Sequence, residues 1–245
     1  MVYLVAVIWT ILCRASRRCH WPRTVRAVLA RQILFTGVEA LSFVALIAGA
    51  VGISVVVQAQ LWMRMFGQTQ MLGPVLVMVI VREAAPLLVN FIVIGRSGAA
   101  MAVEMANMKV SGEVNVLESQ GIDTLDYLAM PRVLAMAVSI FCLTMAFILI
   151  SFVSGYACGI LTGVMNNDPE VFVEGIFKAL GPGDIANVLA KTLIPGLLTA
   201  AICVMEGLNA PPAVTWVPIA ASRAVVRSIA ALFVLSAIVS ILTYI

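Results

Sequence analysis

Long apolar runs separated by shorter polar segments dominate the sequence. Five such runs occupy residues 35–57, 71–94, 133–161, 192–209 and 228–245. A helix needs about 20 apolar residues to cross a hydrocarbon core of about 30 Å, and each run is close to or above that length. The pattern predicts an all-α integral membrane protein with five transmembrane helices.

A further apolar stretch, MVYLVAVIWTILC, opens the chain ahead of the first predicted span. It lacks a leading basic region and a small-residue cleavage site, so a retained helix lying at the membrane surface is favoured over a removable signal peptide. We therefore predict an N-terminal interfacial, amphipathic helix within residues 1–34 and one membrane domain over residues 35–245.

Composition excludes several classes of protein. The chain is 62% hydrophobic and only 11% charged, with a mean hydropathy of +1.09, whereas soluble domains are about half apolar and a quarter charged. The net charge of +3 is small, and the arginines near the N-terminus are not interleaved with aromatics, so no nucleic-acid partner is expected. Five cysteines without a CxxC pair and a single histidine, His20, predict no metal site and no catalytic residue.

Orientation follows from the distribution of lysine and arginine in the loops, which are richer in positive charge on the cytoplasmic side. A cytoplasmic N-terminus places eleven basic residues inside and three, Arg64, Lys178 and Lys191, outside. With five spans, the C-terminal Ile245 then lies on the far side of the membrane. The inside set is Arg14, Arg17, Arg18, Arg23, Arg26, Arg31, Arg96, Lys109, Arg132, Arg223 and Arg227.

Two connections are longer than a tight turn. Residues 95–132, predicted to be cytoplasmic, contain short helices: a small-residue run, then GEVNVLESQG stopped by Gly121, then DTLDYLAMPR with Asp123 as the cap. The external connection, residues 162–191, is expected to hold one short helix around PEVFVEGIFKAL.

Acidic side chains are concentrated in the cytoplasmic connection. They fit either a solvated loop or a docking surface for a cytosolic subunit, and the capped helices favour docking. The sequence contains no G-x-x-x-x-G-K-[ST] motif, so ATP would be hydrolysed by another chain and no cofactor is expected on this one. The acidic residues are Glu104, Glu113, Glu118, Asp123 and Asp126.

The second predicted span carries Arg82 and Glu83 at its centre, followed by Pro86 and Asn90. A charge at that depth costs about 2.5 to 3.5 kcal/mol. Adjacent helical side chains point about 100° apart, so Arg82 and Glu83 cannot simply neutralise each other, and at least one should meet another helix or a cavity. A purely structural ion pair is one reading, but lining a cavity is favoured. Pro86 should also kink the helix and leave the Arg82 carbonyl free.

The third predicted span has a face of small residues. Ser151, Gly155, Gly159 and Gly163 recur every four residues, which places them on one side of the helix, where another helix can approach closely. We predict a packing role for this face rather than a chemical one.

The run VREAAPLLVNFIVIGRSGAAMAVEMANMKV, followed by LESQGIDTLDYLAMPRVLA, resembles the MlaE-type (YrbE-like) permeases, membrane subunits of ABC transporters that move lipids with MCE-domain proteins. The likeness extends from about residue 35 to the C-terminus and includes DIANVLAK. It departs from the family where a common Asp-Pro is Asp123-Thr124, and where PPAVTWVPIAAS replaces a run containing Thr and Gly.

The resemblance implies a homodimer in the inner membrane, a cytosolic ATPase docked on residues 95–132, an MCE-domain protein outside, and phospholipid held between the protomers. A small STAS-domain protein joins the candidate partners. Arg82, Glu83, Pro86 and Asn90 would belong to the lipid pocket, with Lys191 at its outer rim. A sterol or another hydrophobic substrate remains an alternative, as does an ATP-independent secondary transporter or channel; a membrane-embedded enzyme has no evident nucleophile–base pair.

Overall fold

Long helices make up most of the part of the protein that the structure describes. The structure is a computed structural model that describes residues 23–67, 71–162 and 169–244, and within these ranges it contains helices and turns but no strand. Among the described residues, five helical stretches are long and apolar enough to cross a membrane, which confirms the predicted all-α membrane fold. They are Val25–Met65, Leu72–Val110, Tyr127–Leu161, Pro182–Leu208 and Val214–Thr243.

The first span is an unbroken helical stretch. It contains an α-helix, α1 (Arg23–Ile33), a π-helical turn (Leu34–Val38) and a long α-helix, α2 (Glu39–Met65). Residues 23–33, which were predicted to belong to an interfacial helix, are helical and form the start of this stretch. Residues 1–22 lie outside the described residues.

Two π-helical segments interrupt the second span. It contains the short helix α3 (Leu72–Leu76), a π-helical segment (Val77–Ala84), helix α4 (Ala85–Val93), a second π-helical turn (Ile94–Gly98) and helix α5 (Ala99–Val110). A π-helical segment inserts an extra residue per turn and often occurs at functional sites. The longer of the two contains Arg82 and Glu83 and ends immediately before the α-helix that carries Pro86.

The small-residue run that was predicted to lie in the cytoplasmic connection belongs instead to the second span. Helix α5 continues the span and packs against the fourth and fifth spans. Close contact is possible because Gly207 of the fourth span has no side chain, and a Cβ there would lie 2.6 Å from the Ala102 carbonyl oxygen. The connection proper therefore begins only after Val110.

A short surface helix, α6 (Glu113–Ser119), follows between two glycine turns. Gly112 and Gly121 have φ values of +80° and +74°, in the left-handed region that favours glycine, so Gly121 ends the helix as predicted. Asp123 Oδ1 then accepts a hydrogen bond from the Leu125 N–H at 3.0 Å, which confirms its capping position. A π-helical turn (Leu125–Ala129) leads into α7 (Met130–Leu161).

The external connection contains the predicted short helix, α8 (Pro169–Ala179). It packs on the first turn of the second span, where a Cβ at Gly73 would overlap the Gly175 carbonyl. The last elements are α9 (Pro182–Leu208), a 3-10 turn (Val214–Trp216) and α10 (Val217–Tyr244).

The observed helices extend beyond the predicted apolar runs. The fourth begins at Pro182 rather than residue 192, and the fifth reaches back to Val214 rather than residue 228. Lys191, which was predicted to end an external loop, therefore lies inside the fourth span, and its side chain is buried. Hydropathy missed the first turns of the fourth span because they contain the charged residues Asp184 and Lys191. These residues form ion pairs with another helix.

The first and third spans pack most closely at residues that have little or no side chain. A Cβ at Gly52 would overlap the Ser151 carbonyl, and one at Gly155 would overlap Val56. Ser151 Oγ also donates to the Ala48 carbonyl at 3.0 Å. Gly159 is buried on the same helix, and Gly163 lies outside the described residues.

Candidate functional site

A polar cluster lies between the second and fourth spans and is completed by the fifth. Its residues on the fourth span are spaced three and four apart, which places their side chains on one face of α9. That face meets the π-helical segment of the second span. The polar cluster comprises Arg82, Glu83, Asn90, Asp184, Asn187, Lys191 and Ser240.

Arg82 forms one of the two ion pairs in the cluster. Its Nε lies 2.6 Å from Asp184 Oδ1, and its Nη2 donates to Asp184 Oδ2 at 3.3 Å. Asp184 Oδ2 also accepts the Gly181 N–H at 2.9 Å, at the start of α9. The Asp184 side chain is only 4% exposed, whereas that of Arg82 is 29% exposed, so the guanidinium is the accessible member of this pair.

Glu83 forms the other ion pair. Its Oε1 lies 2.6 Å from Lys191 Nζ and accepts a hydrogen bond from Ser240 Oγ of the fifth span at 3.0 Å. The Lys191 side chain is 2% exposed and that of Glu83 is 48% exposed. The carboxylate is therefore the accessible member here, and the ammonium is held behind it.

The Arg82 carbonyl is not left free, contrary to the sequence-based prediction. Pro86 cannot donate to it, because proline has no N–H. Instead the oxygen accepts hydrogen bonds from Lys191 Nζ at 2.9 Å and Asn187 Nδ2 at 3.2 Å. Side chains of the fourth span thus satisfy a backbone group of the second span at membrane depth, as an apolar environment requires.

Two other residues predicted for the lipid pocket are buried within the chain. Pro86 is buried at the start of α4, and Asn90 is fully buried one turn later. Asn90 Nδ2 donates to the Pro86 carbonyl at 2.7 Å and to the Lys191 carbonyl at 3.2 Å. With Lys191 also buried, Arg82 and Glu83 are the predicted pocket residues whose side chains reach the surface of this chain.

The cluster is balanced in charge, because two cations face two carboxylates. Each charge would cost about 2.5 to 3.5 kcal/mol alone at the centre of a spanning helix, and direct pairing offsets much of that cost. The arrangement offers polar contacts in an apolar setting. Among the described residues, no three His, Cys, Asp or Glu side chains are grouped closely enough to hold a metal ion.

The acidic residues predicted for ATPase coupling occupy two kinds of position. Glu104, on α5, pairs with the buried Arg132 at 2.7 Å and so joins the second span to the third. Glu113, Glu118 and Asp123 are exposed on the segment around α6, where Glu113 accepts a hydrogen bond from Ser111. Asp126 lies in the following π-helical turn, and its side chain is outside the description.

The family resemblance placed Lys191 in the pocket, but the other partners of Arg82 and Glu83 were missed. Sequence reasoning treated Asp184 as an acid of the external loop and did not place Ser240 in any site. The spacing of Asp184, Asn187 and Lys191 was a usable signal, because positions three and four apart share a helix face. Reading that face requires that the helix begin at Pro182, which the apolar run alone did not indicate.

Comparison with known proteins identifies the family. The model of the family described as Permease MlaE matches residues 29–242. The chain belongs to the MlaE permease family. A probable ABC transporter permease protein of Rickettsia prowazekii is 30% identical to this MlaE permease over 207 residues, covering 84% of this chain and 79% of the relative.

Two further relatives come from photosynthetic organisms. A probable ABC transporter permease protein of Synechocystis is 28% identical over 203 residues, covering 83% of this chain and 76% of its own. The chloroplastic protein TRIGALACTOSYLDIACYLGLYCEROL 1 of Arabidopsis thaliana is 28% identical over 226 residues, covering 91% of this chain and 62% of its own. This MlaE permease is thus a multi-pass membrane protein similar to ABC transporter permeases.

Proposed function

We propose that this MlaE permease is the membrane subunit of an ATP-driven transporter that moves phospholipids or related lipids between the inner and outer membranes. The observation that carries the proposal is the polar cluster, a charge-balanced group at membrane depth that exposes Glu83 and part of Arg82. Intramembrane charges of this kind usually mark a transport path. One relative is named after a lipid, trigalactosyldiacylglycerol, which favours a lipid substrate.

The surroundings of Arg82 and Glu83 suit an amphipathic substrate. Met78 and Val79 lie about one turn earlier on the same helix and are exposed. A headgroup could therefore contact the guanidinium and the carboxylate while acyl chains contact the neighbouring apolar side chains. Pro86, Asn90 and Lys191 would support this site from behind.

Energy would come from a separate ATPase that docks on the segment containing α6. Glu113 and Glu118 are exposed there, and the same surface presents Val116 and Ile122, which are exposed apolar side chains. Apolar contacts with a charged rim are typical of protein interfaces. Glu104 would act indirectly, because its ion pair with Arg132 links the second span to the third. ATP would bind to the partner, and this chain would hold no cofactor.

The orientation of the chain in the membrane and its exposed apolar side chains suggest where the other partners would bind. The excess of loop arginines on one side supports a cytoplasmic N-terminus and a periplasmic C-terminus, so the segment around α6 would face the cytosolic ATPase and α8 would face an MCE-domain protein. The fifth span exposes Phe233, Val234 and Ile238, which suits burial against a second copy in a homodimer. A STAS-domain protein is a further candidate partner on the cytosolic side.

Purification of the tagged full chain from its native membranes tests the proposal. Mass spectrometry should find an ATPase with a nucleotide-binding motif, an MCE-domain protein and bound phospholipid. A bound sterol in place of phospholipid would support the alternative substrate. Transport that proceeds without ATP and without a co-purified ATPase would contradict the proposal and indicate a secondary transporter.

A further inference from the structure

A second proline affects the backbone beside the polar cluster. Pro195 lies inside α9, and since it has no N–H, the Lys191 carbonyl four residues earlier lacks its usual helical donor. Asn90 Nδ2, from the second span, donates to this oxygen at 3.2 Å. The Lys191 backbone is therefore held by a side chain of another helix.

The second and fourth spans each donate side-chain hydrogen bonds to a backbone carbonyl of the other. Pro86 cannot supply a donor four residues after Arg82, and the Arg82 carbonyl accepts hydrogen bonds from side chains of the fourth span. Pro195 likewise cannot supply a donor four residues after Lys191, and the Lys191 carbonyl accepts from a side chain of the second span. Each helix thus depends on the other at the level where the ion pairs form.

The hydrogen bonds of Asn90 hold backbone carbonyls and leave no donor for a substrate. An amide nitrogen has two hydrogens, and those of Asn90 are directed to the carbonyls of Pro86 and Lys191. Both partners can only accept, which fixes the orientation of the amide. Asn90 is fully buried, and its Oδ1 has no hydrogen-bond partner among the described residues, so the polar interactions of this side chain are these two donations.

We infer that Asn90 is a positioning residue for Lys191. By holding the carbonyl that Pro195 leaves without a helical donor, it fixes the register of the second and fourth spans at which Lys191 Nζ contacts both Glu83 and the Arg82 carbonyl. The inference does not depend on the nature of the substrate. It assigns Asn90 a role separate from the lipid contact predicted for it from the sequence.

Chemical labelling of lysine measures the position of Lys191 directly. The sequence contains only three lysines, Lys109, Lys178 and Lys191, so each can be followed by mass spectrometry after a short pulse of an amine-reactive reagent on the folded, full-length protein. Lys178 is 74% exposed and serves as the internal reference. Asn90→Leu should raise labelling of Lys191 relative to Lys178 by about five- to tenfold, the effect of one lost hydrogen bond on the population of the displaced ammonium.

A variant that gives the Lys191 carbonyl a backbone donor distinguishes the loss of Lys191 positioning from a general loosening of the protein. Pro195→Ala supplies an N–H four residues after Lys191, so the Asn90→Leu/Pro195→Ala double variant should return Lys191 labelling toward the parental value. Pro182→Ala is the matched control, because Pro182 is the first residue of the same helix and deprives no carbonyl within it. It should leave the effect of Asn90→Leu unchanged.

Two results would overturn the inference: parental labelling of Lys191 in Asn90→Leu, or raised labelling that Pro195→Ala does not lower. If Asn90→Leu does not accumulate as folded protein, Asn90→Ala replaces it in the same comparison. Recovery of folded protein when Pro195→Ala is added to the Asn90 variant would support the inference, and equal failure with and without it would count against it.

Discussion

The ammonium of Lys191 and the carboxylate of Glu83 form one ion pair but differ in their access to the surroundings. The lysine side chain is almost fully buried, and that of the glutamate is half exposed. An uncompensated buried charge costs far more than an exposed one. The two members of the pair should therefore respond differently to removal of their partner.

Glu83→Leu should destabilise the protein more than Lys191→Met. The first change leaves a buried ammonium without its counter-ion and should cost about 3 to 5 kcal/mol, whereas the second leaves a carboxylate that can find other partners and should cost about 1 to 2 kcal/mol. Thermal unfolding of both variants in detergent checks the order. Equal losses would mean that the assembled protein buries Glu83 as deeply as Lys191.

Residue types alone identified half of this site. Arg82, Glu83 and Pro86 stand out because lipid disfavours charge and proline, so their importance follows from sequence. Residue types did not reveal their partners, because Asp184 and Lys191 precede the predicted apolar run, where charge is unremarkable; only the family resemblance pointed to Lys191. Whether two helices place such residues opposite each other depends on tertiary packing, which no local pattern encodes.

At the scale of helices, the contact between the first and third spans depends on glycine. Gly52 faces the Ser151 backbone, and Gly155 faces Val56. Backbone cannot move aside as a flexible side chain can, so even one added methyl group must push the helices apart.

Gly52→Ala should lower the free energy of unfolding by about 1 to 3 kcal/mol or more, the usual range for overpacking. Gly49→Ala is the matched control on the same helix, because a Cβ at Gly49 has no atom within 4 Å. It should be neutral or slightly stabilising, since alanine favours a helix. Equal melting temperatures for Gly52→Ala and the parent would refute the close contact between these spans.

The number of helices was predictable, but their lengths were not. Five apolar runs gave five spans, and Gly121 and Asp123 marked the turns of the surface segment because their effects are local. Helix ends such as residues 182–191 were missed because hydropathy treats Asp184 and Lys191 as loop residues. Their ion pairs with another helix make those turns compatible with the bundle.

At the scale of the whole molecule, the segment around α6 would join the permease to its ATPase. Glu118 is the clearest probe there, because Asp123 also caps a helical turn and Glu104 pairs with Arg132. Glu118→Lys should weaken co-purification of the ATPase without changing the melting temperature of the permease.

Glu170→Lys is the corresponding control, because Glu170 is an exposed acid on α8, at the opposite end of the bundle. It should retain the ATPase. Undiminished recovery of the ATPase with Glu118→Lys would remove this residue from the docking surface.

Transport by the assembled complex tests the central claim that the polar cluster lies on the lipid path. The double variant Glu83→Leu/Lys191→Met removes one ion pair completely and leaves the pair between Arg82 and Asp184 intact. Replacement of both members of an ion pair by apolar residues is often neutral for stability, so the variant should assemble and melt like the parent. In proteoliposomes with the proposed ATPase and MCE-domain partners, we expect ATP-dependent phospholipid transfer to be lost. Transfer at the parental rate would contradict the central claim and leave the pair with a structural role only.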